Sequence, residues 1–227
     1  MNSTTIDVII AVYNGEKYIK EAITSVQAQS WQNLNIIIAD DGSTDNTVAI
    51  ISALSKTDQR IHLITRSHHG VSATLNAAIS YSTAPYIAFL DADDLWNEDK
   101  LKKQMEALSK SKERICFCLM KEFETFDEGA QRTHTARLES IKGFSKITFL
   151  AKRTVFESYS LFDEKVAIGD FVAWYSQVVR AEENVIMLDE VLAFRRIHDS
   201  NTTRFVAKND FLSVLKGHLD KKRSQGA

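Results

Sequence analysis

The first half of the chain alternates short apolar runs with stretches of helical periodicity. Residues 6–12, Ile-Asp-Val-Ile-Ile-Ala-Val, read as a strand, and residues 16–29 place Ile19, Ala22, Ile23 and Val26 on one helical face. The same couple recurs at once. Residues 34–39 form a second buried strand; a helix then begins near Asp45 with Val48, Ile51 and Leu54 inward, and Ser43, Thr44 and Asp45 can cap it. A third strand is predicted at 60–65, followed by a helix over 71–82 buried through Val71, Leu75, Ala78 and Ile79. Residues 85–90 make a fourth strand, with the only proline of the chain at its first position, where a missing N–H is tolerated. Leu101, Met105 and Leu108 mark one more helix.

Repetition of this kind predicts an α/β fold whose mostly parallel sheet is covered by helices on both faces. In such sheets ligands sit beyond the carboxyl ends of the strands. Three of those ends carry polar clusters: Tyr13-Asn14-Gly15, Asp40-Asp41-Gly42-Ser43 and Asp91-Ala92-Asp93-Asp94. Asn, Asp and Gly are also ordinary turn formers, so each cluster has a purely structural alternative.

The second half is less regular. Residues 115–120 read as a strand, 123–137 as a polar, loop-rich stretch, and 146–151 as another short strand. From Asp170 a helix runs with Phe171, Trp174, Tyr175 and Val178 on one face, and strands are predicted at 185–188 and 191–196. Residues 206–219 can form an amphipathic helix through Phe211, Leu215 and Leu219, ending in Lys221-Lys222-Arg223. The expected organisation is one domain over 1–204, with halves at about 5–110 and about 111–204, followed by a helical, basic tail over 205–227.

Composition narrows the function classes. The 227 residues are 44% hydrophobic, enough for one sizeable core. A net charge of −2 gives no broad phosphate-binding surface, so nucleic acid is not expected as a partner. Cys116 and Cys118 are the only cysteines and read as a buried, unpaired couple in a reducing compartment. No signal-peptide pattern or bilayer-length apolar run is visible, so a cytoplasmic enzyme is expected, with membrane contact at most peripheral.

Asp91, Asp93 and Asp94 directly follow an apolar strand. Three carboxylates this close repel one another unless a cation neutralises them. Oxygen ligands suit Mg²⁺ or Mn²⁺, and Mg²⁺ is commonly held by one or two carboxylates plus substrate phosphates. The alternative is a solvated acidic turn capping the next helix. No phosphate-loop or dinucleotide-binding glycine pattern is present, so side chains and a metal are expected to hold any diphosphate.

The runs Val8-Ile9-Ile10-Ala11-Val12-Tyr13-Asn14-Gly15, Ile38-Ala39-Asp40-Asp41-Gly42-Ser43-Thr44-Asp45 and Phe89-Leu90-Asp91-Ala92-Asp93-Asp94 together resemble family 2 glycosyltransferases of the GT-A fold, the nucleotide-diphospho-sugar transferase fold. Gly70-Val71-Ser72-Ala73, Asn76, Ile168-Gly169-Asp170-Phe171 and Trp174 extend the resemblance, which covers roughly residues 5 to 204. It implies an inverting transfer from a nucleotide-sugar donor, UDP-linked by preference, to an acceptor saccharide, lipid-linked glycan or peptide, with Mn²⁺ or Mg²⁺ as cofactor. It also implies that Asp41 contacts the base, that Ala11, Tyr13 and Asn14 line the same pocket, and that Asp91 and Ala92 reach the donor. Asp93 would hold the metal, with Asp94 able to share that role, and Asp170 would be the general base. Gly169 stands where the family usually has an acidic residue, so the base assignment rests on Asp170, with Asp163 and Glu164 next in line.

Several residues keep two readings. Asp170 starts a helix and could be only a cap. Arg196 and His198 lie in a segment that resembles the family's late diphosphate-binding loop, and alternation places both on one strand face. The resemblance thus implies that Arg196 meets the diphosphate ahead of Arg195, while His198 is either a metal ligand or an ordinary surface histidine. His68 and His69 fit a solvated turn, and Trp174 a core position. Two other functions remain open: a nucleotidyltransferase of similar sheet architecture, which would normally show a glycine- and basic-rich first loop, and a non-catalytic nucleotide-sugar binding module.

Overall fold

The computed structural model describes residues 4–125, 136–166, 169–198 and 201. Its first half follows the periodicity closely: β1 (Ile6–Val12), α1 (Ile19–Gln27), β2 (Leu34–Asp40), α2 (Thr47–Ser55), β3 (Ile61–Thr65), α3 (Val71–Tyr81) and β4 (Tyr86–Phe89). After these come β5 (Leu95–Trp96), α4 (Lys100–Ser109), β6 (Ile115–Glu124), a 3₁₀ turn (Lys146–Thr148), β7 (Leu150–Lys152), α5 (Thr154–Ser158), α6 (Asp170–Arg180) and β8 (Ile186–Ile197).

Among the described residues these strands form one sheet, in the order β3-β2-β1-β4-β7-β6-β8-β5. The strands β1 to β4 pair in parallel, and β6 pairs with β8 in parallel. Only β7 and β5 run against their neighbours, so the sheet is mixed but mostly parallel. The alternation of side chains along each strand divides the core in two. Ile6, Val8, Ile10 and Val12 pack with Ile19, Ile23 and Val26 of α1 and with Leu101, Met105 and Leu108 of α4. Ile9, Ile37 and Phe89 face the other way, onto Leu75, Ala78 and Ile79 of α3 and onto Phe171, Trp174 and Val178 of α6. Trp174 is therefore core, as its spacing implied.

Four elements differ from the sequence expectation. Residues 146–151 are a 3₁₀ turn leading into β7, because Ser145 and Thr148 close a capping box around Lys146. The two strands expected at 185–188 and 191–196 are one strand, β8, whose register against β6 slips on both sides of Leu119. The strand expected at 115–120 runs on to Glu124, so Phe123 and Glu124 are extended, while 126–135 lie outside the described residues. Val71, expected inward, is 37% exposed at the first turn of α3. The amphipathic helix expected at 206–219 lies outside the described residues.

The core holds one unusual cation. Lys100 is fully buried: its Nζ donates to Gln104 Oε1 at 2.8 Å and to Phe149 O at 3.3 Å, and lies 3.9 Å from the centre of the Trp96 ring. Burial pushes its pKa down to about 8. Cys116 and Cys118 are both buried and unbridged, and burial pushes the Cys116 thiol up to about 12. Among the described residues no helix is long and apolar enough to cross a membrane.

Candidate active site

The carboxyl ends of β1, β2 and β4, the 3₁₀ turn, the start of α6 and the end of β8 surround one cavity of about 760 Å³. That is within the range of roughly 300–1,000 Å³ usual for small-molecule sites. Ala11, Tyr13, Asn14, Asp41, Asp91, Ala92, Asp93, Asp170 and His198 all line it. With Asp94, which also lines it, the structure thus brings together ten of the site residues named from the sequence. Arg196 is not among the lining residues; its neighbour Arg195 is.

The first wall is a network between the β1 and β2 loops. Asn14 sits in the left-handed region (φ 50°), where its backbone N–H donates to Ser43 Oγ and its Oδ1 accepts from Thr44 N–H, both at 2.8 Å. Asp45, one residue before the N-cap Asn46, accepts from the N–H of Thr47, the first residue of α2, at 2.9 Å. Gly42 turns this loop at φ +81°, and a Cβ there would lie 3.1 Å from both Arg66 O and His68 N.

Asp41 is buried and its two oxygens are shared among four donors. Oδ1 accepts from His69 N–H at 3.0 Å and Thr74 Oγ1 at 2.7 Å; Oδ2 accepts from Gly70 N–H at 2.9 Å and meets His68 Nδ1 at 2.8 Å. Burial opposes its ionisation, but these hydrogen bonds and the His68 charge outweigh it and hold the carboxyl below the usual range. His68 also stacks against Tyr13, ring centres 4.2 Å apart. His68 therefore belongs to the cavity rather than to a solvated turn.

The acidic turn after β4 is pinned from below. Arg196 is only 3% exposed, and its guanidinium lies between the rings of Tyr18 (4.5 Å) and Phe123 (4.7 Å). It donates from Nε to Asp93 O, from Nη1 to Thr125 Oγ1 and from Nη2 to Glu21 Oε2, at 2.7–2.8 Å. Its backbone N–H donates to Asp94 Oδ1 at 2.7 Å. His198 lies just past the end of β8 and lines the cavity together with Arg195, whereas Arg196 packs under the turn and buttresses the loop from behind. Burial first, then the charges of Asp93 and Asp91, raise Asp94 well above the ordinary carboxyl value. Asp94 is buried, and its Oδ1 is held by the Arg196 N–H, so it anchors the turn at the cavity wall.

Asp93 and His198 face each other, Oδ2 to Nε2 at 2.9 Å, and Asn201 Nδ2 lies 3.3 Å from the same oxygen. Two neighbouring ligands of an octahedral ion, each about 2.1 Å from it, stand about 3 Å apart. The pair therefore fits two adjacent positions around Mn²⁺ or Mg²⁺. Among the described residues no group of three or more His, Cys, Asp or Glu could hold an ion, so other positions would fall to phosphate oxygens and water.

The same cavity is lined by Asp170, buried at the first turn of α6. Gly169 precedes it at φ +80°, a left-handed conformation that a residue with a Cβ adopts only with strain. No side chain caps this helix and Asp170 is its first residue, so the bare-cap reading is not what the geometry shows. Lys146, which the sequence reading placed in a strand, bridges the cavity: its Nζ is 3.3 Å from Asp170 Oδ2 and 3.4 Å from Asp91 Oδ1. Burial disfavours the ammonium, but Asp91 and Asp170 outweigh burial and hold its pKa above the usual lysine value. Asp91 is raised by its enclosure, against Lys146, and further by the charges of Asp93 and Asp170.

The sequence profile of "Glycosyl transferase family 2" matches residues 7–168, which carry every wall of this cavity up to Gly169. The chain belongs to glycosyl transferase family 2. This family 2 member is 29% identical over 243 residues to an uncharacterized glycosyltransferase of Rickettsia typhi, covering 98% of this chain and 74% of that protein. It is 39% identical over 112 residues to the putative teichuronic acid biosynthesis glycosyltransferase TuaG of Bacillus subtilis, covering 49% of this chain but only 43% of TuaG. Among solved structures it resembles S. aureus TarS in complex with UDP-GlcNAc (TM-score 0.73, 20% identity, 95% of this chain and 65% of that one). It likewise resembles the mannosyltransferase PcManGT of Pyrobaculum calidifontis in complex with GDP-Man and Mn²⁺ (TM-score 0.75, 17% identity, 98% and 65%). The fold is that of the GT-A transferases, and the chain spans just under two thirds of each of these two structures.

Proposed function

We propose that this chain is a metal-assisted, inverting glycosyltransferase that moves a sugar from a nucleoside diphosphate, UDP by preference, to an acceptor hydroxyl with Asp170 as general base. The observation that carries the reading is the convergence of Asp91 and Asp93 with Asp170, nearly 80 positions later in the sequence, on one cavity. Binders of UDP-GlcNAc and GDP-Man among the structures of this fold support it.

In this reading Tyr13, Asn14, Asp41 and His68 form the nucleoside end. Asp41 already holds four donors, so a base N–H would reach it by displacing His68, whose side chain is 58% exposed. Asp93 and His198 would hold a divalent cation, which when bound supplies positive charge where the diphosphate departs. Asp170 accepts the proton of the attacking hydroxyl from the opposite side of the sugar, and the rigid walls supply alignment. The acceptor would be a saccharide, a lipid-linked glycan or a peptide hydroxyl, reached through the half of the chain after residue 110.

A donor panel tests the reading. Incubation with UDP-GlcNAc and GDP-mannose in Mn²⁺, followed by mass spectrometry and calorimetry, is expected to show binding of one nucleotide and slow release of its sugar. Binding without release would favour a non-catalytic module, and neither would remove the transferase reading.

The two arginines separate cleanly in the same assays. Arg195 lines the cavity at 33% side-chain exposure with Nη1 3.6 Å from Glu122 Oε1, so Arg195→Ala is expected to weaken UDP or GDP binding about 3- to 10-fold at unchanged melting temperature. Arg196→Ala removes the buried clasp and is expected to lower stability by about 1–3 kcal/mol. Chemical denaturation and calorimetry check both; a stable Arg196→Ala protein with the larger binding defect would restore the order expected from the sequence.

A further inference from the structure

Lys146 belongs to none of the motifs that carry the family resemblance. Two features make it more than a buried ion pair. Its side chain, 14% exposed, reaches the cavity from a stiff base: the capping box of Ser145 and Thr148 fixes the turn, Ile147 and Phe149 plug into opposite core layers, and Trp96 Nε1 donates to Ile147 O at 2.8 Å. Its ammonium also stands between carboxylates from distant parts of the chain, Asp91 after β4 and Asp170 at the head of α6.

We propose that Lys146 is a positioning residue for the transfer, holding the Asp170 carboxylate in fixed relation to the acidic turn that receives the donor. This rests on the transferase reading above. Asp91 and Asp170 repel each other, and Asp170 follows a left-handed glycine that gives the head of α6 no side-chain cap. An ammonium bonded to both converts that repulsion into a brace. Lys146 takes Asp170 Oδ2, and the proposal leaves Oδ1 to receive the acceptor proton. Misplacing a reacting group by about 1 Å can cost about 10²-fold in rate, which sets the scale of the effect.

A lysine that instead gripped the donor phosphates would show itself in donor affinity, so the split between kcat and KM decides. Hydrolysis of UDP-GlcNAc or GDP-mannose in Mn²⁺ needs no acceptor and serves as the assay, with UDP or GDP affinity measured by calorimetry. Lys146→Met is expected to lower kcat about 10- to 100-fold while donor KM and nucleotide affinity stay within about threefold. Lys146→Arg, which can bridge two carboxylates, is expected to recover most of the loss. Should the Met protein melt far below wild type, Lys146→Gln, which keeps a donor without the charge, takes its place. An unchanged kcat, a loss confined to KM, or an Arg variant no better than Met would overturn the assignment while leaving an active wild type as evidence for the transferase. A wild type that hydrolyses neither donor and binds neither nucleotide would overturn the transferase reading, and this inference with it.

Discussion

Asp170→Asn is expected to lower sugar transfer by about 10²–10⁴-fold, the usual worth of a general base, or roughly 3–5 kcal/mol of barrier. The change is nearly isosteric at a buried position, so folding should survive, and the donors that hold Asp41 do not include Asp170. An amide cannot take up the proton of the attacking hydroxyl usefully, whereas it caps a helix almost as well as a carboxylate. Turnover near wild type in a folded Asp170→Asn protein would thus remove Asp170 as the base. Asp163 and Glu164, the next acidic residues by sequence, are poor successors. They line a separate hollow beside α6, and Glu164 Oε1 is 3.0 Å from Asn76 Nδ2.

Asp93→Asn is expected to abolish the gain in UDP or GDP affinity that Mn²⁺ brings. Loss of an outer partner of a metal site typically costs about 10–100-fold in metal affinity, and a direct ligand should cost at least as much. His198 alone would remain of the facing pair, and one neutral imidazole holds Mn²⁺ weakly against water. Titration of each nucleotide with and without Mn²⁺, in wild type and variant, reads this directly. Equal affinity in all four conditions would mean that the short Asp93–His198 contact is a plain hydrogen bond. The control is Asp94→Asn: Asp94 is buried against the Arg196 N–H, so its loss should appear in stability before it appears in the Mn²⁺ effect.

How much of this was legible before any coordinates depends on how local the cause is. Strands β1 and β2 and the core faces of α1 and α6 follow from period-2 and period-3.6 spacing, because burial of a repeating face selects the element. The placing of Asp91 and Asp93 at a strand end is equally local. Short elements were harder. A strand of two residues, β5, and a helix of five, α5, contain fewer than two periods of their patterns, so no repeat could announce them. The apolar residues of 146–151 suit a short strand as well as a turn. The real constraint on the turn is a side-chain capping box, followed by two residues that enter opposite core layers.

The sequence by itself determined which residue types stand at the ends of the parallel strands. Which of Arg195, Arg196 and His198 reach the cavity was decided only by the sheet: β8, paired beside β6, ends at Ile197, so that Arg196 lies under the acidic turn against Tyr18 and Phe123 while Arg195 and His198 line the cavity. Lys146 could not be found from spacing, because what singles it out is its distance to Asp91 and to Asp170, 55 and 24 positions away in sequence. Such distances arise from crossing connections in the sheet, and no periodicity within one segment encodes them.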